Sequence, residues 1–198
     1  MATYSKTDLY GGAITADLPS TYVDVSSFRQ VPDHQEVYVD KDGLTSVIFE
    51  ILNYVGPEIA ATDEDALKYH FEDIAEGTND TTKYLIAASA KLSKLPTTPV
   101  YLLAATQTPA PAEPSPFGKP PKPQPDFYGI LLILVRLPQK KTDIVVTINV
   151  PHVPGEYVKE DVDLQAQRLG PLMETAMEMR GKVLESFEIR EWGLFGEE

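Results

Sequence analysis

The sequence predicts an α/β protein of the α+β kind, in which a central, mostly antiparallel β-sheet of about six strands is sandwiched between helices. Residues 127–137 and 142–150 are apolar or β-branched almost throughout, which is typical of strands buried on both faces. Only four residues separate them, too few for a crossover helix, so we expect an antiparallel hairpin. A sheet with two buried faces then requires helices above and below it.

Further strands are predicted from shorter patterns of apolar and β-branched residues. These patterns cover residues 9–16, 36–40, 45–54, 83–92 and 99–105. Gly11 and Gly12 interrupt the first pattern, which indicates a bulge or a close approach of another backbone, and Pro19 ends it. Residues 186–195 are expected to add a short strand at the edge of the sheet.

Two helices are predicted to cover the sheet. Thr62 opens the first as an N-cap, with Asp65 three residues later as in a capping box, and Gly77 ends it. Apolar residues at helical spacing, with His70 on the same face, give this helix a stripe to bury. The second helix is expected over residues 161–187, with a kink or a fresh start at Pro171.

We expect one domain over residues 1–198, because a chain of this length buries roughly two-thirds of its unfolded surface in a single core. Residues 106–126 hold eight of the 17 prolines and therefore suit neither a β-ladder nor a helix. We interpret them as a proline-rich flexible loop inserted between two strands. This loop is either a tolerated surface insertion or a ligand for an SH3-type groove.

Composition disfavours several classes of function. The formal charge of −13 argues against nucleic acid and anionic membranes as partners. It suits either solubility alone or a partner with a basic face. We expect no transmembrane segment and no signal peptide, because the apolar runs are short. The absence of cysteine excludes disulfides and thiol chemistry and favours an intracellular location.

The sequence contains none of the common catalytic or cofactor-binding motifs. It lacks GxxxxGK[ST], GxGxxG, HExxH and GxSxG, so it is not itself a P-loop GTPase. Its three histidines, His34, His70 and His152, lie far apart and have no ligand-like neighbours at helical spacing. We therefore expect no metal site, no cofactor and no enzyme activity, and we interpret His70 as a satisfied, partly buried residue.

Residues 9–39 are the best candidate for a recognition segment, because rigid strands flank loops that carry polar side chains. Asp24 stands where an N-cap would accept from the amides that follow it, and Pro32 begins a turn before the next strand. The polar candidates are Asp24, Arg29, Asp33, Gln35 and Glu36. The alternative interpretation is an ordinary connection between strands, interrupted by glycine and proline, whose polar side chains only face solvent.

Glu50 is unusual because it lies inside an apolar run, residues 47–52, and shares a strand face with Ile48 and Leu52. A carboxylate in this setting faces solvent, meets a cation or has a raised pKa. Glu50 is therefore either a salt-bridged or edge-facing residue, or an acidic contact beside exposed apolar surface. The second combination is expected at a binding hot spot.

Long, irregular runs of this sequence resemble the Ran guanine-nucleotide release factor family, the Mog-type Ran-binding proteins of nuclear import. The runs are LYGGAI at 9–14, DVSSFRQVPDHQEVYVD at 24–40, SVIFEIL at 46–52, YHFEDI at 69–74 and LVRLPQKKTDIVVTINVP at 134–151. Only the proline-rich segment has no counterpart. The resemblance implies a PsbP-like fold, binding to the small GTPase Ran, and promotion of guanine-nucleotide release in support of nuclear import.

The resemblance also implies contacts with Ran at particular residues. Glu50 keeps an acid on the family's contact strand, whereas Asn53 stands where relatives often carry a glutamate. The recognition segment would supply Asp24, Arg29, Asp33, Gln35 and Glu36, although Asp24 and Arg29 could equally hold the shape of the loop. The family further implies a monomer found in the nucleus and cytoplasm, and mainly in the nucleus. The rival interpretation is a non-enzymatic PsbP-like scaffold that binds other proteins or a small apolar ligand.

Overall fold

The computed structural model describes residues 2–75, 80–111, 124–166 and 168–196. The strands are Tyr4–Leu9 (β1), Ile14–Pro19 (β2), Tyr22–Asp24 (β3), Gln35–Asp40 (β4), Ser46–Asn53 (β5), Thr81–Ala90 (β6), Val100–Thr108 (β7), Phe127–Leu137 (β8), Thr142–His152 (β9) and Glu188–Ile189 (β10). The helices are Asp63–Ala75 (α1) and Gly170–Ser186 (α2).

The larger sheet has seven strands in the order β3-β4-β5-β9-β8-β7-β6, and every neighbouring pair is antiparallel. The hairpin predicted from residues 127–150 is confirmed, since β8 and β9 pair along their whole lengths. Lys141 closes its turn in a left-handed conformation with φ 49°. Both strands are almost entirely buried, because α1 packs on one face and α2 on the other. The predicted fold class is confirmed, with seven strands in this sheet rather than about six.

A second sheet of three strands, in the order β1-β2-β10, packs against α2. The prediction of one strand over residues 9–16 is wrong, because β1 and β2 form an antiparallel hairpin that turns between them. Tyr10, Gly11 and Gly12 all have positive φ values, of 49°, 67° and 92°. Glycine at two of these positions avoids the steric cost that a Cβ atom imposes there. The short edge strand expected within residues 186–195 is confirmed as β10.

The start of α1 agrees with the sequence. The amide of Asp65 donates to Thr62 Oγ1 at 3.1 Å, and the amide of Thr62 donates back to Asp65 Oδ2 at 3.1 Å, which completes the predicted capping box. The predicted end at Gly77 lies outside the described residues. His70 is buried and paired, as interpreted from the helix stripe.

The start of α2 differs from the prediction, because the helix begins at Gly170 rather than at residue 161. The preceding residues form a turn in which the Asp163 carboxylate accepts from the amides of Gln165 and Ala166. Gly170, the first residue of α2, has a φ of 77°, which lies outside the helical region. The chain therefore changes direction at Gly170, and Pro171 follows it in the first turn of the helix. Gly129 of β8 faces Met173 of α2, and a Cβ atom at this position would collide with the Met173 sulfur. The absence of a side chain at Gly129 therefore lets α2 approach β8 closely.

The predicted loop at residues 106–126 is only partly a loop. Residues 106–108 belong to β7, and residues 112–123 lie outside the described part of the chain. Within the described residues, neither helix has the length and apolar character needed to cross a bilayer.

Candidate functional site

The predicted recognition residues gather around the β3–β4–β5 end of the larger sheet. Gln35 and Glu50 are direct partners in the β4–β5 register, and Gln35 Nε2 donates to Glu50 Oε1 at 2.6 Å. Glu50 is half-buried. Burial raises the pKa of its carboxyl group, the hydrogen bond from Gln35 opposes that shift, and the charge of Asp73 on α1 adds to it. The Glu50 side chain therefore faces the α1 side of the sheet.

Glu36 faces the other side, because neighbouring residues of a strand point in opposite directions. Its Oε1 accepts from the backbone amide of Tyr10 at 2.8 Å. Burial raises the pKa of the Glu36 carboxyl group, against the effect of that hydrogen bond, and the charge of Asp24 raises it further. The Tyr10 hydroxyl lies 2.8 Å from the carbonyl oxygen of Phe49. The β1–β2 turn is thus fastened to β4 and β5 on this face.

Asp24 has the capping role that the sequence predicted. Its Oδ1 accepts from the amide of Ser26 at 2.7 Å, and its Oδ2 accepts from the hydroxyl of the same residue at 2.5 Å. These contacts fix the 3₁₀ turn Val25–Ser27 that follows β3. The carboxylate is therefore at least partly committed to the shape of the loop.

Arg29, Asp33 and Asn53 are exposed. Arg29 and Asp33 belong to the connection between β3 and β4, whereas Asn53 ends β5. Beside Arg29, the side chain of Phe28 is 75% exposed. Sequence reasoning missed Phe28, although an aromatic residue in a polar loop is itself a signal of a contact surface.

The seven predicted residues therefore share one end of the sheet but not one face. Gln35 and Glu50 belong to the α1 face, and Glu36 belongs to the face that carries the β1–β2 hairpin. In both half-buried glutamates the second carboxylate oxygen accepts no hydrogen bond from the described residues. Each has capacity left for a donor that approaches from outside.

A cavity of about 280 Å³ lies on the α1 face of the sheet, and the residues that line it do not include Glu50. Ile48, two residues before Glu50, forms part of its wall together with Ile74 of α1 and Ile130 of β8. Asp80 and Asn149 add polar groups to the lining. Glu50 therefore lies outside this cavity, and its role as an acidic contact beside exposed apolar surface stays a prediction.

A second group of charges lies buried beneath the start of α1, and sequence reasoning did not find it. Asp143 is fully buried, and its Oδ2 lies 2.9 Å from His70 Nε2 and 3.0 Å from the amide of Val55, which donates to it. Its Oδ1 lies 2.8 Å from Arg136 Nε, so the two side chains form an ion pair. The Nε–H bond of Arg136 is not aligned with this oxygen well enough to count as a hydrogen bond.

Arg136 extends this network to the surface end of α1. Its Nη1 donates to Asp63 Oδ1 at 3.0 Å, and its guanidinium group lies 4.1 Å from the centre of the Tyr54 ring. Asp63 also accepts from the hydroxyl of Tyr101 at 2.7 Å. These contacts tie α1 to three strands. The signal in the sequence was a pair of opposite charges inside two apolar strands, since Arg136 and Asp143 are register partners.

Comparison with known proteins identifies the relatives of this chain. The family model described as "Ran-interacting Mog1 protein" matches residues 7–151. A Ran guanine nucleotide release factor of Danio rerio is 30% identical over 195 residues, which cover 95% of this chain and 98% of that protein. A probable ran guanine nucleotide release factor of Dictyostelium discoideum is 32% identical over 154 residues, which cover 74% and 73%.

Solved structures agree with the sequence comparison. The crystal structure of the Saccharomyces cerevisiae Ran-binding protein Mog1p has a TM-score of 0.71 and 27% identity, covering 99% of this chain and 100% of that one. A cyanobacterial PsbP from Synechocystis has a TM-score of 0.56 at 10% identity, covering 96% and 94%. The second likeness shows the fold alone and confirms the PsbP-like architecture.

Proposed function

The chain belongs to the family of Ran-interacting Mog1 proteins, and from this premise we propose that it binds the small GTPase Ran and promotes release of its guanine nucleotide, in support of nuclear protein import. One observation carries the proposal: the family match spans residues 7–151 and so includes all seven recognition residues. In this proposal the protein acts as a monomer in the nucleus and cytoplasm, mainly in the nucleus, and needs no cofactor.

The proposed mechanism is a competition between this protein and the nucleotide for the GTPase. A protein without its own nucleotide pocket ejects a nucleotide only by binding the empty GTPase more tightly than the loaded one. A thousand-fold weakening of nucleotide affinity requires about 4 kcal/mol of coupling, and the nucleotide must weaken binding of this protein by the same factor.

Charge and exposure support the β3–β4–β5 end of the sheet as the contact surface. Glu50 and Glu36 each keep one carboxylate oxygen that accepts no hydrogen bond from the described residues, and each is held in place by the bond that its other oxygen accepts. A basic group on the partner would lower the raised pKa values of these glutamates and would thereby contribute to binding. Gln35 positions Glu50, while Arg29, Asp33 and Asn53 provide exposed polar contacts around it.

Release of a fluorescent guanine nucleotide from purified Ran tests this proposal. We expect the wild-type chain to accelerate release and Glu50→Lys to reduce that acceleration at least about tenfold, as expected when a close charge pair is reversed. Glu174→Lys is a matched control, because Glu174 is exposed on α2, on the far side of the sheet. The melting temperatures of both variants are measured alongside.

The outcomes separate the function from its site. If the wild-type chain neither binds Ran nor changes nucleotide release, the proposed function is wrong. If the wild-type chain accelerates release and Glu50→Lys does so equally well, the function stands and the assignment of Glu50 falls.

The cavity on the α1 face supports a second candidate function, a scaffold that holds a small apolar ligand or another protein. Its apolar walls come from three isoleucines and Tyr128, although its volume of about 280 Å³ lies just below the usual range for small-molecule sites. Ile48→Trp would fill this space. Under the scaffold hypothesis this variant loses ligand binding, whereas nucleotide release from Ran is absent in both variant and wild type.

A further inference from the structure

The opposite end of the larger sheet ends in an unusually open strand. β6 has ten residues and is the last strand of the sheet. Most of its residues are exposed, including Tyr84 at 46% and Ile86 at 48%. A long, exposed edge strand presents unpaired backbone groups that another chain can pair with, and natural proteins usually protect such edges.

Protection is present in only one half of β6. The register with β7 shifts between Tyr84 and Ile86, so Leu85 is an extra, bulged residue in the first half of the strand. In the same half, the ammonium group of Lys83 donates to the carbonyl oxygen of Leu164 at 3.1 Å. The bulge and the neighbouring turn therefore hinder pairing of residues 81–85 with another strand.

Residues 86–90 have neither the bulge nor a contact with that turn. In antiparallel pairing, the backbone N–H and C=O groups of alternate β6 residues bond to β7. The backbone groups of the residues between them point outward from the edge of the sheet. No backbone group of residues 86–90 is bonded to any described residue outside the β6–β7 ladder. The side chains of Ala87, Ala88 and Ser89 are small and exposed, so they leave room for a strand to approach.

The second half of β6 and the residues that follow it carry only positive charge in the sequence, whereas the first half also meets acidic groups. Asp80 directly precedes β6, and the charge of Glu72 acts on Tyr84. Residues 81–111 contain three lysines and no aspartate or glutamate, in a chain whose formal charge is −13. Lys91 and Lys94 are both exposed and follow β6 directly. A partner strand laid along residues 86–90 would therefore end beside two ammonium groups.

We propose that the Ile86–Ala90 edge accepts an extended, acidic segment of a partner protein as an additional β-strand. Backbone hydrogen bonds would give the pairing its affinity, as in other cases of strand addition. The lysines would select acidic side chains, and the exposed part of Ile86 would be covered by an apolar residue of the partner. A second copy of this chain fits less well, because pairing two β6 edges would bring lysines of like charge together in molecules that already repel.

The site is separate from the proposed Ran surface, since β6 and β3 are the two outermost strands of the sheet. Its test therefore does not depend on Ran. The probe is a synthetic peptide of eight residues that alternates aspartate with valine, added to the isotope-labelled full chain. We expect amide shifts confined to β6, Lys91 and Lys94, together with slower hydrogen exchange of the outward-facing amides of residues 86–90.

Two matched peptides and one variant make the test specific. A peptide with lysine in place of aspartate should not bind, and a peptide with N-methyl groups on alternate amides should not bind either, because it cannot form a ladder. The variant Lys91→Glu/Lys94→Glu alters only exposed side chains, leaves the Lys83 contact in place, and should weaken binding of the acidic peptide at least about tenfold.

Several results would overturn the proposal. Shifts on other surfaces, unchanged binding of the N-methylated peptide, or equal binding of the acidic and basic peptides would each contradict strand addition by an acidic segment. Concentration-dependent dimerisation that slows hydrogen exchange of the outward-facing amides of residues 86–90 would assign the edge to a second copy of the chain instead.

Discussion

Two groups of charged residues on the larger sheet differ in their burial and in the number of partners that they have within the chain. Beneath the start of α1, Asp143, Arg136 and His70 are almost completely buried, and each lies within 3.0 Å of a charged or polar partner. On β4 and β5, Glu36 and Glu50 are half-buried, and each accepts only one hydrogen bond from the described residues. The first group holds the fold together. The second group retains binding capacity at some cost to the fold.

The difference follows from where each charge finds its partner. In the buried network the opposite charge comes from the same chain, so desolvation is offset within the folded protein. On β4 and β5, burial raises the pKa of both glutamates. For Glu50 the hydrogen bond from Gln35 and the charges of His34 and His70 oppose this shift, but no lysine or arginine of the described residues contributes to either glutamate. Substitutions at four positions sharpen or break this contrast, and they are ordered by expected effect.

Asp143→Ala should have the largest effect on stability. It leaves Arg136 and the amide of Val55 without their buried acceptor, and removing one partner of a buried pair costs about 3–5 kcal/mol. Urea unfolding followed by the fluorescence of Trp192, the single tryptophan, measures the loss. Glu64→Ala, which removes an exposed pair with Lys68, is the control and should cost less than about 0.5 kcal/mol. A similar loss in both variants would contradict the contrast.

Glu50→Gln should have the opposite effect on stability. Because the Glu50 pKa is raised in the folded state, the stability associated with its protonation is present at low pH and is lost as pH rises through that pKa. The variant keeps an acceptor for Gln35 and avoids this cost at neutral pH. At pH 7 the melting temperature of the variant should equal or exceed that of the wild type. This difference should vanish as the pH falls to the ordinary pKa of a glutamate side chain.

The same variant should bind Ran about tenfold more weakly, as expected for loss of a charge contact at an interface. For the wild type, binding should also decline as pH falls and Glu50 becomes protonated. A variant that binds normally and melts at a lower temperature would place Glu50 in the fold rather than in the contact surface.

Asp24→Ala should cost about 1 kcal/mol, the usual loss when an N-cap is removed. Asp24→Asn keeps an acceptor for the amide of Ser26 but removes the charge, so its melting temperature should stay close to that of the wild type. Binding to Ran then decides between the two roles of Asp24. Unchanged binding in Asp24→Asn would assign the residue to the loop alone.

Asn53→Glu should have the smallest effect, a few-fold tightening of Ran binding. It restores the acid that the family resemblance implies at this position, and an exposed charge contact contributes about 0.2–1 kcal/mol. Asn53 is exposed, so stability should not change. Asn53→Gln is the size-matched control without the charge, and equal tightening in both variants would exclude an electrostatic origin.

Local signals predicted the parts of the fold that local chemistry determines. The hairpin of β8 and β9 follows from two apolar runs and a short link, and the start of α1 follows from the pairing of Thr62 with Asp65. The prediction failed where tertiary contacts override the pattern. Residues 9–16 are predicted as one interrupted strand because Gly11 and Gly12 suit a bulge as well as a turn, and only the pairing of residues 4–9 with β2 makes them a turn.

The site was predicted in its location but not in its division between two faces. Gln35 and Glu36 are neighbours on one strand, so the alternation of side chains already implied that only one of them could share a face with Glu50. The buried network was missed for a different reason. Detecting the Arg136–Asp143 pair required the exact register of the hairpin, and His70 joins the pair only because α1 crosses the sheet at that point.

The three-stranded sheet has a consequence for synthesis of the protein. The amides of Arg190 and Glu191 both donate to the carbonyl oxygen of Ala13, and β10 completes the pairing of β2. β2 is therefore paired on both of its sides only after residues 188–191 have left the ribosome. Until then a nascent chain would expose one edge of β2, and chaperones that shield this edge should matter.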